Sequence, residues 1–105
     1  MIFITGPLYS GKQTFARTLC AEQEMICEVQ DLAVHCDNLP ALADQLAADY
    51  PVVIATEVGG GVVPVEPEAR ETREAAGRLS CLLAERADTV VRVFCGLPLV
   101  LKGTL

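Results

Sequence analysis

The chain has no tryptophan and a single histidine, and aromatics make up only 5% of its 105 residues. A core without aromatic clusters must be assembled from Ala, Val, Leu and Ile packed between helices and strands, which suits an α/β layer structure. Basic residues are scarce, eight Lys and Arg against fourteen Asp and Glu, for a formal net charge of −6. That excludes nucleic acid as a partner, because binding a polyanion draws on Lys and Arg displacing counterions, and no basic stripe exists here. The five cysteines, Cys20, Cys27, Cys36, Cys81 and Cys95, are odd in number and include no C-x-x-C pair. Neither a disulfide framework nor a zinc site is indicated, and they read as small buried hydrophobes in a reducing compartment. Long apolar runs are missing too. No stretch reaches membrane-spanning length, and the first residues lack the cationic lead of a signal peptide and break at Gly6, so the expected location is the cytoplasm, away from any membrane.

What is present is a composition 51% hydrophobic with a mean hydropathy of +0.38. A chain of 105 residues has room for one domain and no second core, so residues 1–105 are read as a single unit. So small a domain leaves apolar side chains outside its core, which predicts a homo-oligomer. An acidic surface with one local cationic loop favours a small phosphorylated ligand gripped locally.

Residues 2–5 are short, apolar and β-rich, a buried first strand ending at Gly6 and Pro7. A helix from Lys12 carries Phe15, Ala16, Leu19 and Cys20 at helical spacing and fades around residues 22–24. Residues 25–30 read as a second strand. Asp37 or Asn38 caps a helix over residues 39–50, with Pro40 in its first turn and Pro51 stopping it. "VVIAT", residues 52–56, has the continuous apolar character of a parallel strand buried on both faces. The loop "EVGGGVVP" follows, then a long helix from Pro67 to about Ala87 with Ala76, Leu79 and Leu83 on one face and a solvated charged face opposite. Residues 89–95 form the clearest strand, and Gly96 with Pro98 turns the chain into a last apolar piece, "LVL", ending at Lys102. Strands alternating with helices predict a mostly parallel, three-layer α/β sheet with ligands outside the carboxyl ends of the strands.

At that edge lies "GPLYSGKQT": Gly6, Pro7, Leu8, Tyr9, Ser10, Gly11, Lys12, Gln13 and Thr14. It has the outline of a phosphate-binding loop, in which glycines let successive backbone N–H groups face an anion and a lysine reaches the outer phosphates. These nine residues are the predicted nucleotide-binding set, and Lys12 is a predicted catalytic residue. Gln13 stands where a Ser or Thr hydroxyl normally helps hold Mg2+, so the phosphate side of the site is stronger than the metal side. Glu57 ends a buried strand beside Gly59, Gly60 and Gly61, and is the second predicted catalytic residue. His35 has no partner at catalytic spacing.

Taken together, "ITGPLYSGK", "EVGGGVVP", Ala69–Arg70 and "AGRLSCLLAERADTVVRVFCGLPLVLK" resemble the bifunctional adenosylcobinamide kinase and adenosylcobinamide-phosphate guanylyltransferase family of cobalamin biosynthesis. The resemblance implies a RecA-like P-loop NTPase fold that binds ATP or GTP. It also implies phosphorylation of the aminopropanol hydroxyl of a cobinamide-like substrate, then GMP transfer through a histidine. Gly6 to Lys12 would cradle the triphosphate, Glu57 would be the acid of the second loop and Lys102 the closing lysine.

The chain departs from the family at Gln13, for Ser, and at Thr56 and Ser80, each for Asn. It is also much shorter between the first helix and the strand before the second loop, where the family carries the guanylylated histidine; His35 is not in a matching context. Counting along "EVQDLAVHCDNLP" puts Gln30 at the family's strand-end acid, with Asp31 beside it. Two readings follow: an enzyme that retains nucleotide binding and the kinase half, and a non-catalytic nucleotide- or phosphate-binding module.

Overall fold

The strands Ile2–Gly6 (β1), Met25–Ile26 (β2), Val52–Thr56 (β3), Thr89–Phe94 (β4) and Leu97–Lys102 (β5) form one sheet in the order β2-β3-β1-β4-β5. The computed structural model describes residues 1–58 and 66–105. Strands β1 to β4 are parallel and β5 runs antiparallel to β4. The helices are Lys12–Ala16 (α1), Gln30–Ala33 (α2), Leu39–Asp49 (α3) and Pro67–Arg86 (α4).

Alternation along the strands divides the apolar residues between two faces. Phe3, Val53, Ala55 and Val90 pack with Leu46, Leu79 and Leu83 of α3 and α4. Ile4, Val52, Ile54, Val91 and Val93 face the opposite way, towards Ala16 and Phe15 of α1. Each fully buried Val, Leu, Ile or Phe among them contributes roughly 1.5–3 kcal/mol. The expected mostly parallel, three-layer α/β fold is therefore present. The β1–β3 register sets Gly6 beside Thr56 at the carboxyl edge. There the two strands release the chain to helices on opposite faces, opening a crevice.

Several local expectations are corrected. The helix from Lys12 ends at Ala16, because Thr18 turns its backbone N–H and its hydroxyl onto the Phe15 carbonyl, a tight local bond that competes with helix continuation. The segment expected as a strand over residues 25–30 stops after Ile26, since Glu28 adopts the left-handed backbone, φ 57°, and Gln30–Ala33 coils into a short helix. Asn38 is the cap of α3, its Oδ1 accepting from the Ala41 N–H at 3.2 Å. The cysteines are not buried: three are half-buried, and Cys81, on α4, and Cys95, in the β4–β5 turn, are exposed. The last apolar piece is longer than "LVL": all six residues of β5 form a strand, and all six are exposed. Residues 59–65, with the three consecutive glycines, lie outside the described residues.

Candidate functional site

The loop after β1 bends through two backbone conformations that favour glycine, Gly6 at φ 156° and Gly11 at φ 90°. A Cβ at Gly6 would sit 2.2 Å from the Val93 carbonyl oxygen and 2.8 Å from Ser10 Oγ. Only glycine fits there. Between them Tyr9 also takes a positive φ, 59°, and its side chain is 94% exposed. The loop is tied down on both flanks: the Glu57 N–H donates to the Gly6 carbonyl at 2.8 Å, and the Gly96 N–H to the Ser10 carbonyl at 2.7 Å.

Lys12 is 6% exposed. Its ammonium folds back across the bend, donating to the Pro7 carbonyl at 2.7 Å and to Ser10 Oγ at 3.5 Å. Burial lowers the Lys12 pKa, and the carboxylates of Glu28 and Glu57 oppose that shift. Because α1 has only five residues, its dipole adds little, and the positive character of the loop rests on Lys12 and on backbone N–H groups.

Opposite Lys12 stands Glu28, which lines a cavity of about 290 Å³ together with Tyr9, Ser10, Lys12, Gln13 and Thr56. Its carboxylate accepts from Thr56 Oγ1 at 3.0 and 3.2 Å and from Gln30 Nε2 at 2.6 Å. The Thr56 N–H in turn donates to Gln30 Oε1 at 3.0 Å. This closed set of bonds fixes the carboxylate and explains why Glu28 is held in a backbone conformation that is costly without glycine. Counting along the sequence puts Gln30 at the family's strand-end acid, with Asp31 beside it. The structure instead turns Glu28 to the loop, leaves Asp31 exposed and makes Gln30 a positioning residue. The signal was available: Glu28 follows the apolar "MIC" at the carboxyl end of a strand.

Glu57 is beside the loop as expected, and it is bonded. Arg92 Nε donates to Oε1 at 2.6 Å and a terminal nitrogen to Oε2 at 3.0 Å. The hydrogen bonds from Arg92, then its charge and that of Lys12, hold the Glu57 carboxyl below its ordinary pKa against the effect of burial. Arg92 lies 5.4 Å from the centre of the Phe94 ring. Nothing in the spacing of "TVVRVFC" marked Arg92, because the pairing depends on β4 lying two places from β3 in the sheet.

His35 is not among the residues that line this cavity. It lines a larger cavity, about 590 Å³, between the α2–α3 connection and α4, with Asp37, Glu68, Glu71, Glu74 and Arg78. Acidic residues outnumber Arg78 there, the wrong sign for a phosphate. Among the described residues no cluster of three or more His, Cys, Asp or Glu could hold a metal ion, and no helix is long and apolar enough to cross a membrane.

Comparison with known proteins bears on the rest of the chain. Over 81 residues, 77% of its length, it is 35% identical to the bifunctional adenosylcobalamin biosynthesis protein CobU of Escherichia coli (strain K12). Over 75 residues, 71% of its length, it is 36% identical to the protein of the same name from Salmonella typhimurium. The chain covers 40% and 37% of those relatives. The sequence profile of cobinamide kinase / cobinamide phosphate guanyltransferase matches residues 23–101, so the loop at residues 6–14 is an observation independent of that match. With a match over most of its length, the chain belongs to the cobinamide kinase / cobinamide phosphate guanyltransferase family.

Proposed function

We propose that residues 6–14 bind the polyphosphate of ATP or GTP, and that the reaction this site serves is phosphoryl transfer to a hydroxyl of a cobinamide-like acceptor. The observation that carries the reading is the buried Lys12 ammonium lying across a glycine-dependent bend, facing a fixed carboxylate. An entering phosphate exchanges with the Pro7 carbonyl for the Lys12 ammonium, which then neutralises charge on the transferred group. Glu28, the carboxylate lining the cavity, is placed to receive the proton of an attacking hydroxyl. Glu57, ionised by Arg92, is a weak base and acts on Lys12 through its charge. Guanylyl transfer through a histidine is the less supported half, since the chain's single histidine lines a different cavity.

The family's chemistry implies Mg2+, and the donors at the loop suit it poorly. Gln13 replaces the hydroxyl donor and is exposed, and both oxygens of Glu28 already accept hydrogen bonds. The exposed Gln13 is what favours the second reading, a module that grips nucleotide without turning it over.

Titration with fluorescent ATP and GTP analogues, with and without Mg2+, separates the readings. Lys12→Ala should weaken binding about 10- to 100-fold, the worth of a hydrogen bond to a charged group. Affinity should also fall with rising pH before the ordinary lysine value of about 10.4, since burial lowers the Lys12 pKa. Unchanged binding in Lys12→Ala would refute nucleotide capture at the loop. Binding with phosphorylated cobinamide as product supports the enzyme; binding without turnover, in wild type and in Gln13→Ser, supports the module.

A further inference from the structure

We propose that Arg17 is a second phosphate-binding cation of the loop site, held by Glu22 and passed to the ligand when a di- or triphosphate enters. The inference rests on the reading of residues 6–14 as a polyphosphate site and names the group that completes its charge. The cavity in front of the loop has two cationic side chains in its lining, Lys12 and Arg17. The Glu28 carboxylate in the same lining acts on Lys12 and offsets its charge. A polyphosphate carries several negative charges, and with Gln13 where a hydroxyl would help hold Mg2+, the balance falls to the protein. Arg17 is the remaining cation of that lining.

Its position follows from the way α1 ends. The helix covers Lys12–Ala16 and Arg17 is its carboxyl-terminal cap, with the Arg17 N–H donating to the Gln13 carbonyl at 3.0 Å. Arg17 therefore stands one turn beyond Gln13 on the side of α1 that borders the cavity, since residues four apart share a helix face. One turn is about 5.4 Å, a distance that a long guanidinium side chain spans. Lys12 and Arg17 thus approach the cavity from different levels of the helix, an arrangement suited to successive phosphates of one chain.

The bond Arg17 makes is an exchangeable one. Its Nε donates to Glu22 Oε1 at 2.7 Å, and the two side chains are 51% and 73% exposed. Among the described residues that is the guanidinium's one bond. Arg92 and Arg86 are held harder: Arg92 donates twice to Glu57, and Arg86 donates to Asp44 and to the Leu82 carbonyl. An exposed ion pair with a single bond contributes little to stability. Trading Glu22 for a phosphate therefore costs little, and it engages a planar fork that pairs with phosphate through two N–H groups. Glu22, the first residue of the 3-10 turn Glu22–Glu24, competes with the ligand for the same guanidinium and so tunes the affinity of the site.

Isothermal titration calorimetry of the full chain with ATP and with inorganic pyrophosphate, both in EDTA, tests this, with circular dichroism to confirm folding of each variant. Arg17→Ala should weaken both probes about 5- to 20-fold, a charged hydrogen bond less the exposed pair it replaces. Arg17→Lys, which keeps the charge and loses the fork, should recover part of that loss. Glu22→Gln should tighten both probes about 2- to 5-fold, a gain that misfolding cannot produce. In the Arg17→Ala background the same Glu22→Gln change should have no effect, because it acts through the guanidinium. A gain that persists without Arg17 would reduce Glu22 to a distant charge and overturn the proposal. So would weaker ATP binding in Arg17→Ala with pyrophosphate unchanged, which would put Arg17 at the nucleoside. Binding that Lys12→Ala weakens and Arg17→Ala leaves unchanged would also overturn it, with the nucleotide reading still standing. Binding indifferent to Lys12→Ala, or no binding of either probe, would refute that reading and this proposal together.

Discussion

Strand β1 reads IFITG and strand β5 reads LPLVLK, similarly apolar, yet Phe3 and Ile4 are 2% and 0% exposed while Leu97 and Leu99 are 71% and 59%. The difference comes from place in the sheet. β1 has strands on both sides and helices on both faces, whereas β5 is the outermost strand and meets α4 at its Leu101–Lys102 end. Hydrophobicity therefore specified that both segments would be strands, and sheet order alone decided which of them is covered. The uncovered strand leaves its side chains exposed; the covered one carries the loop.

The largest expected effect is on the covered strand. Gly6→Ala places a methyl group 2.2 Å from the Val93 carbonyl oxygen and should cost about 4 kcal/mol or more, leaving little folded protein in urea titrations. A mild effect would mean that the bend yields, and with it the account of why glycine stands there. Next, Ile54→Ala, at a 0% exposed position, should lose about 2–5 kcal/mol, while Leu99→Ala in dilute protein should stay within about 0.5 kcal/mol of wild type. Equal losses would break the contrast between covered and uncovered strands.

The smallest effect concerns Glu57 at the junction of the two regions. Arg92 holds its folded pKa below the ordinary value, so its contribution is present above the unfolded carboxylate pKa of about 4.3 and disappears as pH falls through the folded value. Urea midpoints of wild type and Glu57→Gln should differ slightly at pH 7, the pair being part-exposed, and converge in strong acid. A difference that persists there would mean that the Arg92 pair is not its source.

The fold was legible because its evidence is local: the run "VVIAT", the Asn38 cap and the spacing of Ala76, Leu79 and Leu83 each dictate an element without reference to the rest of the chain. The loop was legible for the same reason, through Gly6, Gly11 and Lys12. What escaped was set by distance in sequence. Glu28 reaches the loop only because a left-handed residue ends β2, and Arg92 meets Glu57 only because β4 follows β1 in the sheet. The exposure of β5 needed the strand order itself.

The 2.7 Å bond from the Gly96 amide to the Ser10 carbonyl makes the hairpin tip a natural reporter. In deuterium exchange the Gly96 proton should be released whenever the neighbouring loop opens and be retained whenever a bound anion stiffens it. One amide would then record occupancy without any label.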